Sequence, residues 1–163
     1  MEIKNLTFRK ANTSDINFIH EILYKSFKPY QKFYTDQAFA ATVISHEEIK
    51  NRILKNDYDV FVSLITNQIV GTVSLLLKNK KFLYIRSMAV HPDFQRIGIG
   101  VFMLDKIFYI AEKKKIKKLV LESSEPLFNA LNFYEKNGFK KTGSSRDFYG
   151  VEIFEMIKNI IVL

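Results

Sequence analysis

Cysteine is absent from the 163-residue chain, and its absence excludes several kinds of protein chemistry. Without a thiol the chain forms no disulfide, holds no thiolate zinc site and has no cysteine nucleophile. Glycine and proline are scarce, with 6 and 3 residues, and no stretch rich in them interrupts the chain as a linker. The length and the unbroken sequence predict one domain over residues 1–163.

Long apolar runs are also missing. No stretch approaches the ~20 apolar residues that cross a bilayer, and the first ten residues lack the apolar segment of a signal peptide. We therefore expect a soluble, cytoplasmic protein that has no membrane partner.

Acidic residues are few relative to basic ones. The chain has 17 Asp and Glu against 25 Lys and Arg, which gives a net charge of +8. A basic chain of this kind is able to bind nucleic acid or a polyanionic cofactor. Most of the excess is lysine in short scattered clusters, however, and no helix with clustered arginines is evident. We attribute the charge mainly to composition, and a nucleic-acid partner is the least favoured hypothesis.

Hydrophobic periodicity alternates between helical and strand spacing, which predicts a mixed α and β fold. Ser45 and Glu48 form the capping-box signature of a helix, and Gly138 is placed to end another. Helices are predicted from a cap at Thr13 to before Pro29, from Ser45, after Gly100 and over residues 127–137. Strands are predicted over residues 3–9, 58–66, 69–77, 82–90, 117–123, 139–143 and 151–158.

The order of these elements restricts the topology. Three consecutive strands with short turns between them predict an antiparallel meander, and the last two strands predict a closing hairpin. Between them, a strand, a long helix and another strand predict one parallel pair, because parallel neighbours need a crossover connection. The aromatic segment around residues 30–39 has no clean period and is expected to be a loop or a broken helix.

The segment Gln95–Gly100 carries the most information, because it joins a strand end to the start of a helix through two glycines. Glycine lets backbone N–H groups at a helix N-terminus approach an anion closely, although a plain tight turn would have the same composition. Two common phosphate motifs do not fit: the dinucleotide fingerprint needs glycine at Met103, and the P-loop also needs lysine at Leu104. The spacings of metal-dependent proteases and serine hydrolases are absent too, so no metal site is expected.

At this segment the sequence resembles the GCN5-related N-acetyltransferase (GNAT) superfamily. The signature Q/R-x-x-G-x-G/A is matched by Gln95–Gly100, and a second block, A-x-x-F/L-Y-E-K-x-G-F, is matched by residues 130–139. The resemblance covers nearly the whole chain. It implies an α+β acyl-CoA N-acyltransferase fold: a mixed, mostly antiparallel central sheet with one parallel, splayed strand pair and helices on both faces.

The resemblance further implies that acetyl-CoA is the co-substrate. In similar proteins a splayed strand pairs with the pantetheine arm, and the following loop holds the pyrophosphate. Many relatives carry an asparagine where this chain has Leu127, so Asn129 or Asn132 is a candidate replacement, with Asn132 expected to face solvent instead. The implied cofactor contacts are Met88, Ala89, Val90, Gln95, Arg96, Ile97, Gly98, Ile99, Gly100, Asn129 and Tyr134.

Tyr134 corresponds to the family's general acid, which protonates the departing CoA thiolate; the alternative is a tyrosine that only packs in the core. The attacking amine also needs a base. Some relatives place a carboxylate on the strand before the loop, but period-two alternation from Met88 puts Tyr84 and Arg86 on that face. Glu122 on the adjacent strand is the remaining candidate, and a structural hydrogen bond is an equally good explanation for it.

The function implied is transfer of the acetyl group of acetyl-CoA to a primary amine of a small molecule, peptide or protein. A catalytically idle acyl-CoA-binding regulator is the alternative. The identity of the acceptor, the use of another acyl group and a homodimer are left open. Acceptor recognition is expected from the first two helices and their aromatic loop, one strand residue and the closing hairpin: Tyr24, Phe27, Tyr30, Phe33, Tyr34, Arg86, Phe148 and Tyr149.

Overall fold

In a computed structural model that describes residues 3–161, seven strands form one mixed sheet. The first two and last two residues of the predicted domain lie outside this range. The order across the sheet is β1-β2-β3-β4-β5-β7-β6. The strands are β1 (Leu6–Lys10), β2 (Tyr58–Ile65), β3 (Gln68–Lys78), β4 (Phe82–Val90), β5 (Lys118–Ser123), β6 (Lys140–Phe148) and β7 (Val151–Asn159).

The helices lie on both faces of this sheet, as expected. They are α1 (Ile16–Phe27), α2 (Asp36–Thr42), α3 (His46–Leu54), α4 (Ile99–Lys113) and α5 (Phe128–Lys136). The apolar residues of α4 and α5 pack in one core with Val73 and Leu75 of β3. Those of α1 and α3 pack in a second core with Val60 and Val62 of β2. No helix in this part of the chain is long and apolar enough to span a membrane.

The predicted topology is confirmed. Strands β2, β3 and β4 are consecutive antiparallel neighbours, and β6 and β7 form the closing hairpin. Strands β4 and β5 are parallel, but they pair only where Phe82–Tyr84 faces Lys118–Val120. Beyond Tyr84 the two strands separate, and no other strand among residues 3–161 pairs with that edge of β4 up to Val90. Unpaired backbone groups of this kind need another partner.

A β-bulge interrupts β4 just after the two strands separate. Ser74 of β3 faces Arg86, whereas Thr72 faces Ala89, so two residues of β4 stand opposite one residue of β3. Ser87 lies in this bulge with a φ of +48°, a left-handed conformation that is uncommon for a residue with a side chain.

The bulge overturns one step of the sequence argument. Period-two alternation placed Arg86 on the same face as Met88, but the extra residue shifts the alternation. Met88 packs with Leu83 and Ile85 against the α4 side of the sheet. Arg86 therefore projects from the opposite face, towards α1 and α3. A carboxylate base on β4 is still excluded, because this strand contains no Asp or Glu at any position.

Several element boundaries differ from the prediction. The first helix begins differently: Asn12, not Thr13, caps a 3-10 turn over Thr13–Asp15, and α1 follows it. The aromatic segment is a broken helix, with a 3-10 turn at Lys28–Phe33 followed by α2. Ser45 caps α3, as predicted, by accepting the Glu48 N–H at 3.1 Å.

Candidate active site

A cavity of about 800 Å³ opens where β4 and β5 separate. Its walls come from the free end of β4, the end of β5, the Gln95–Gly100 loop, α5 and the segment between α1 and α2. The predicted site residues that line it are Phe27, Tyr30, Tyr34, Arg86, Met88, Ala89, Val90, Gln95, Arg96, Gly98, Gly100, Glu122, Asn129, Tyr134 and Phe148. Asn132, which was expected to face solvent, is exposed and also lies at the cavity. The sequence patterns therefore converge on one place.

Some predicted residues do not line the cavity with their side chains. Ile99 is 1% exposed and packs in the core beneath α4, while Ile97 points to solvent at 47% exposure. Phe33 and Tyr149 are also exposed and lie outside the lining, as does Tyr24. Neither isoleucine side chain lines the cavity, so the groups that these residues offer there are those of the backbone.

The loop before α4 has the geometry of an anion site. Arg96 and Gly98 adopt left-handed conformations with φ of +63° and +99°, and α4 begins at Ile99. Alternation of this kind turns successive N–H groups into a concave surface, and the helix dipole adds partial positive charge there. A Cβ built on Gly98 meets nothing within 4 Å, so the space in front of this residue is open.

The side chain of Gln95 connects this loop to β4. Its amide donates to the Val90 carbonyl at 2.9 Å, and the Ser26 hydroxyl donates to the same oxygen at 3.0 Å. A carbonyl oxygen has two lone pairs, and both are used here. The Val90 carbonyl is therefore not free to pair with a cofactor arm, contrary to the expectation for Met88–Val90 as a whole. Gln95 holds the loop in place with its amide nitrogen.

The position of Tyr134 is compatible with both roles that the sequence left open. Its ring packs edge-on against Phe133 and Phe139, with centroid separations of 5.4 and 5.6 Å. It also lines the cavity. Burial raises the pKa of the Tyr134 phenol to about 12, because the ionised form loses hydration. The hydroxyl therefore stays protonated well above neutral pH.

Glu122 is the one carboxylate among the described residues that line the cavity. Its Oε2 accepts from Nε and Nη2 of Arg146 at 2.9 and 2.8 Å. The hydrogen bond that the sequence offered as the structural explanation is thus present. Both contacts involve the same oxygen, Oε2, and the carboxylate remains at the cavity wall.

The segment between α1 and α2 closes one side of the cavity. The Tyr34 hydroxyl hydrogen-bonds the Ser124 hydroxyl at 2.7 Å, just beyond the end of β5. Thr35 donates to the Tyr149 carbonyl at 2.6 Å in the turn between β6 and β7. Burial raises the pKa of the Tyr34 phenol, with the Ser124 bond acting in the opposite direction. These two contacts fix the segment over the splayed strands.

Arg52 is a site residue that the sequence did not reveal. Its side chain is only 9% exposed, and its guanidinium lies 5.0 Å from the centre of the Tyr58 ring. Nε donates to Glu48 and Nη1 donates to the Ser87 hydroxyl, both at 3.0 Å. Arg52 therefore links α3 to the bulge of β4 through its hydrogen bond to Ser87. The only sequence signal is the four-residue spacing from Glu48, which is ordinary on helix surfaces.

The fold is that of the GNAT class of acetyltransferases. The family described as "Acetyltransferase (GNAT) domain" matches residues 23–160, so the chain belongs to this family. It resembles the crystal structure of the PaiA N-acetyltransferase from Thermoplasma acidophilum in complex with coenzyme A, with a TM-score of 0.81 at 22% identity over 94% of this chain and 98% of that one. At that identity the likeness establishes the fold alone.

Two curated relatives match parts of the chain. Glucosamine 6-phosphate N-acetyltransferase of Schizosaccharomyces pombe is 32% identical over 91 residues, 52% of this chain and 78% of that protein. N-acetyltransferase family 8 member 3 of Rattus norvegicus is 31% identical over 102 residues, 59% of this chain and 45% of that protein. The chain thus spans less than half the length of the rat relative.

Proposed function

We propose that this protein transfers the acetyl group of acetyl-CoA directly to a primary amine. The observation that carries the proposal is the splayed edge of β4, which runs into the anion-binding loop Gln95–Gly100 along one cavity. An extended ligand that has amides along its length and phosphates at one end complements such a wall. The coenzyme A in the Thermoplasma acidophilum neighbour supports this choice of ligand.

Different residues of the cavity are proposed to bind different parts of acetyl-CoA and the acceptor. N–H groups of the Gln95–Gly100 loop and the charge of Arg96 would hold the pyrophosphate. Backbone groups on the free edge of β4 between Met88 and Val90 would pair with the pantetheine amides, apart from the carbonyl of Val90, which is already occupied. Asn129 lines the cavity on α5 and is proposed as a further contact. Phe27, Tyr30 and Tyr34 form the proposed acceptor wall.

The chemistry requires two proton movements. The neutral amine attacks the thioester carbonyl to form the C–N bond, and collapse of the tetrahedral intermediate breaks the C–S bond. Tyr134 would donate its phenolic proton to the departing thiolate, a step for which its raised pKa keeps it protonated. Glu122, directly or through water, would accept a proton from the amine. The products are the acetylated amine and CoA, with no covalent intermediate on the protein.

A product assay tests the proposal. The purified chain is incubated with acetyl-CoA and a panel of small, peptide and protein amines, and both free thiol and acetylated amine are quantified by mass spectrometry. We expect equal amounts of both products with at least one amine. Saturable CoA binding without any acetylated product would contradict the enzymatic function and leave an acyl-CoA-binding protein. Thiol release without acetylated amine would show hydrolysis instead.

A further inference from the structure

Three charged side chains project from one face of the sheet into the cavity. Tyr84 of β4 lies beside Val120 of β5, and residues in register share a face. Two positions further along each strand, Arg86 and Glu122 point to that same face. The hydrogen bonds between Arg146 of β6 and Glu122 place the Arg146 side chain there too. This is the face towards α1 and α3.

The cavity has an excess of positive charge. Among the described residues that line it, five are cations and one is a carboxylate, Glu122. The cations are Arg52, Arg86, Arg96, Lys136 and Arg146. Arg96 belongs to the loop proposed for the pyrophosphate, so the arginines on the sheet face and on α3 need a separate explanation.

Of Arg52, Arg86 and Arg146, Arg86 alone has no carboxylate partner within residues 3–161. Arg146 pairs with Glu122, and Arg52 pairs with Glu48. Arg86 is half-buried and makes no ion pair within residues 3–161; the ring of Tyr84 lies 5.9 Å from its guanidinium. A guanidinium that has lost part of its hydration gains most from a planar, hydrogen-bonding anion.

Arg86 is poorly placed to serve the phosphates of CoA. It lies four residues before Val90, where β4 ends, and the anion-binding loop begins only at Gln95. Four strand residues span about 13 Å. Arg86 lies instead near the point where β4 and β5 separate. The buried guanidinium of Arg52 adds positive potential there, because it is bonded to the next residue, Ser87.

We propose that the acetyl acceptor is an amine that also carries an anionic group, a carboxylate or a phosphate, and that Arg86 binds this group. The proposal rests on the proposed function and narrows its substrate class. Simple alkylamines and polyamines are then poor acceptors, because they add positive charge beside Arg86 and Arg52 and leave Arg86 without a counter-ion.

Matched pairs of amines test this substrate class. The kcat/KM of ω-amino acids with two to six carbons is compared with that of n-alkylamines of the same length, and 2-aminoethyl phosphate is compared with ethanolamine. We expect the best anionic acceptor to exceed its neutral partner at least tenfold. The carboxylate and phosphate series show which anion is preferred. Spermidine is the polycationic control.

Two variants locate the effect. Arg86→Gln should remove the preference, mainly by raising KM for the anionic acceptor, whereas Arg86→Lys should retain part of it. Lys78→Gln removes one positive charge beside Tyr84 but outside the cavity, and should leave the preference intact. Circular dichroism and the affinity for CoA establish that each variant is folded.

The outcomes separate this proposal from the proposed function. If CoA does not bind, the proposed function fails and the acceptor proposal fails with it. If transfer occurs but neutral amines or spermidine are used as well as anionic ones, or if Arg86→Gln retains the preference, only the acceptor proposal is overturned. If CoA binds and no amine in the panel is acetylated, the CoA-loaded protein must still bind the anionic members more tightly by calorimetry; equal binding overturns the proposal.

Discussion

At the scale of single residues, Tyr134 both packs in the core and takes part in the proposed reaction. Its ring is wedged against Phe133 and Phe139, and the cavity wall includes the same side chain. A free tyrosine would titrate near pH 10. Burial raises the pKa of this phenol to about 12, so its proton is retained across the range in which amines become neutral.

Tyr134→Phe should lower kcat by ~10²–10⁴-fold, the usual effect of losing acid–base assistance. The phenyl ring keeps the packing, so CoA affinity and thermal stability should change little. Because the pKa is about 12, the ratio of wild-type to variant kcat should stay constant from pH 7 to 10. The measurement is kcat at saturating acetyl-CoA and amine across this range.

Tyr109→Phe is the matched control, since Tyr109 lies on α4 at 58% exposure and outside the cavity. It should retain wild-type kcat. A Tyr134→Phe variant within about twofold of wild type, or one that loses stability and CoA affinity together, would show that Tyr134 only packs.

Gly98→Ala should weaken CoA binding. The residue has a φ of +99°, and an alanine there costs about 1 kcal/mol of backbone strain and would occupy the space in front of the loop. Titration calorimetry should show a dissociation constant raised at least tenfold.

Gly143→Ala is the control that separates backbone strain from obstruction of the loop. Gly143 also has a positive φ, +89°, and open space around it, but it lies in β6 away from the loop. It should lose similar stability and keep wild-type CoA affinity. Equal affinities in both variants would contradict the assignment of the loop.

Some residue roles follow from the sequence and others do not. Gly98 and Tyr134 stand in patterns of fixed spacing, so their location could be predicted. Arg52 could not, because its importance comes from Ser87, 35 positions away in the chain. Gln95 was predicted to bind the cofactor, but its side-chain amide donates a hydrogen bond to the Val90 carbonyl. That contact depends on where β4 ends.

At the scale of secondary-structure elements, the least predictable feature is the bulge of β4. The limits of this strand, Phe82–Val90, match the prediction because they follow from strand propensity and a flanking proline. The left-handed Ser87 has no local signal. Strand β6 likewise extends well beyond its predicted end, since its mostly exposed residues pair with β7 and have no apolar alternation of their own.

The junction of β1 and α1 depends on a buried carboxylate. Asp15 is 4% exposed and accepts two hydrogen bonds from Arg9, at 2.7 and 3.0 Å, and one from the Asn12 N–H at 2.9 Å. The bonds from Arg9 lower the pKa of Asp15. A carboxyl with a lowered folded pKa stabilises the protein above its unfolded pKa, near 3.8, and this stabilisation is lost as the pH falls through the folded value.

Asp15→Asn should therefore lower the free energy of unfolding at pH 7 by about 1–3 kcal/mol, a range reduced because Arg9 is partly exposed. The difference from wild type should shrink as the pH falls below about 3.8, where Asp15 of the unfolded chain becomes protonated, and it should vanish once the pH is below the lowered pKa of folded Asp15. Urea unfolding at pH 7, 5 and 3 measures it. The control is Asp36→Asn in the first turn of α2, on the surface. A pH-independent difference would show that the ion pair is not the cause.

At the scale of the whole molecule, the topology was easier to predict than the site. A strand, a crossover helix and a strand imply one parallel pair, and short turns imply antiparallel ones, so these pairings could be predicted from element order. The position of β7 between β5 and β6 was not predicted. The point at which β4 and β5 separate could not be derived from their sequences alone. Resemblance to a family supplied that expectation, and pairing that stops at Tyr84 and Val120 confirmed it.

The basic residues behind the net charge of +8 are distributed unevenly over the molecule. Most lysines lie on the surface, in agreement with the compositional explanation. The cavity, however, collects all the arginines of the chain except Arg9. Arginine forms planar, bidentate contacts with phosphate and carboxylate, so its concentration there fits two anionic groups at opposite ends of one site.

The most direct test of the central claim is the melting temperature of the protein with and without coenzyme A. A ligand that binds only the folded state stabilises it by about 2.7 kcal/mol at a hundredfold excess over Kd. For a chain of this length the melting temperature should rise by roughly 5–10 °C. An unchanged melting temperature at millimolar CoA would contradict the assignment of the cavity as a CoA site, and with it the proposed acetyl transfer.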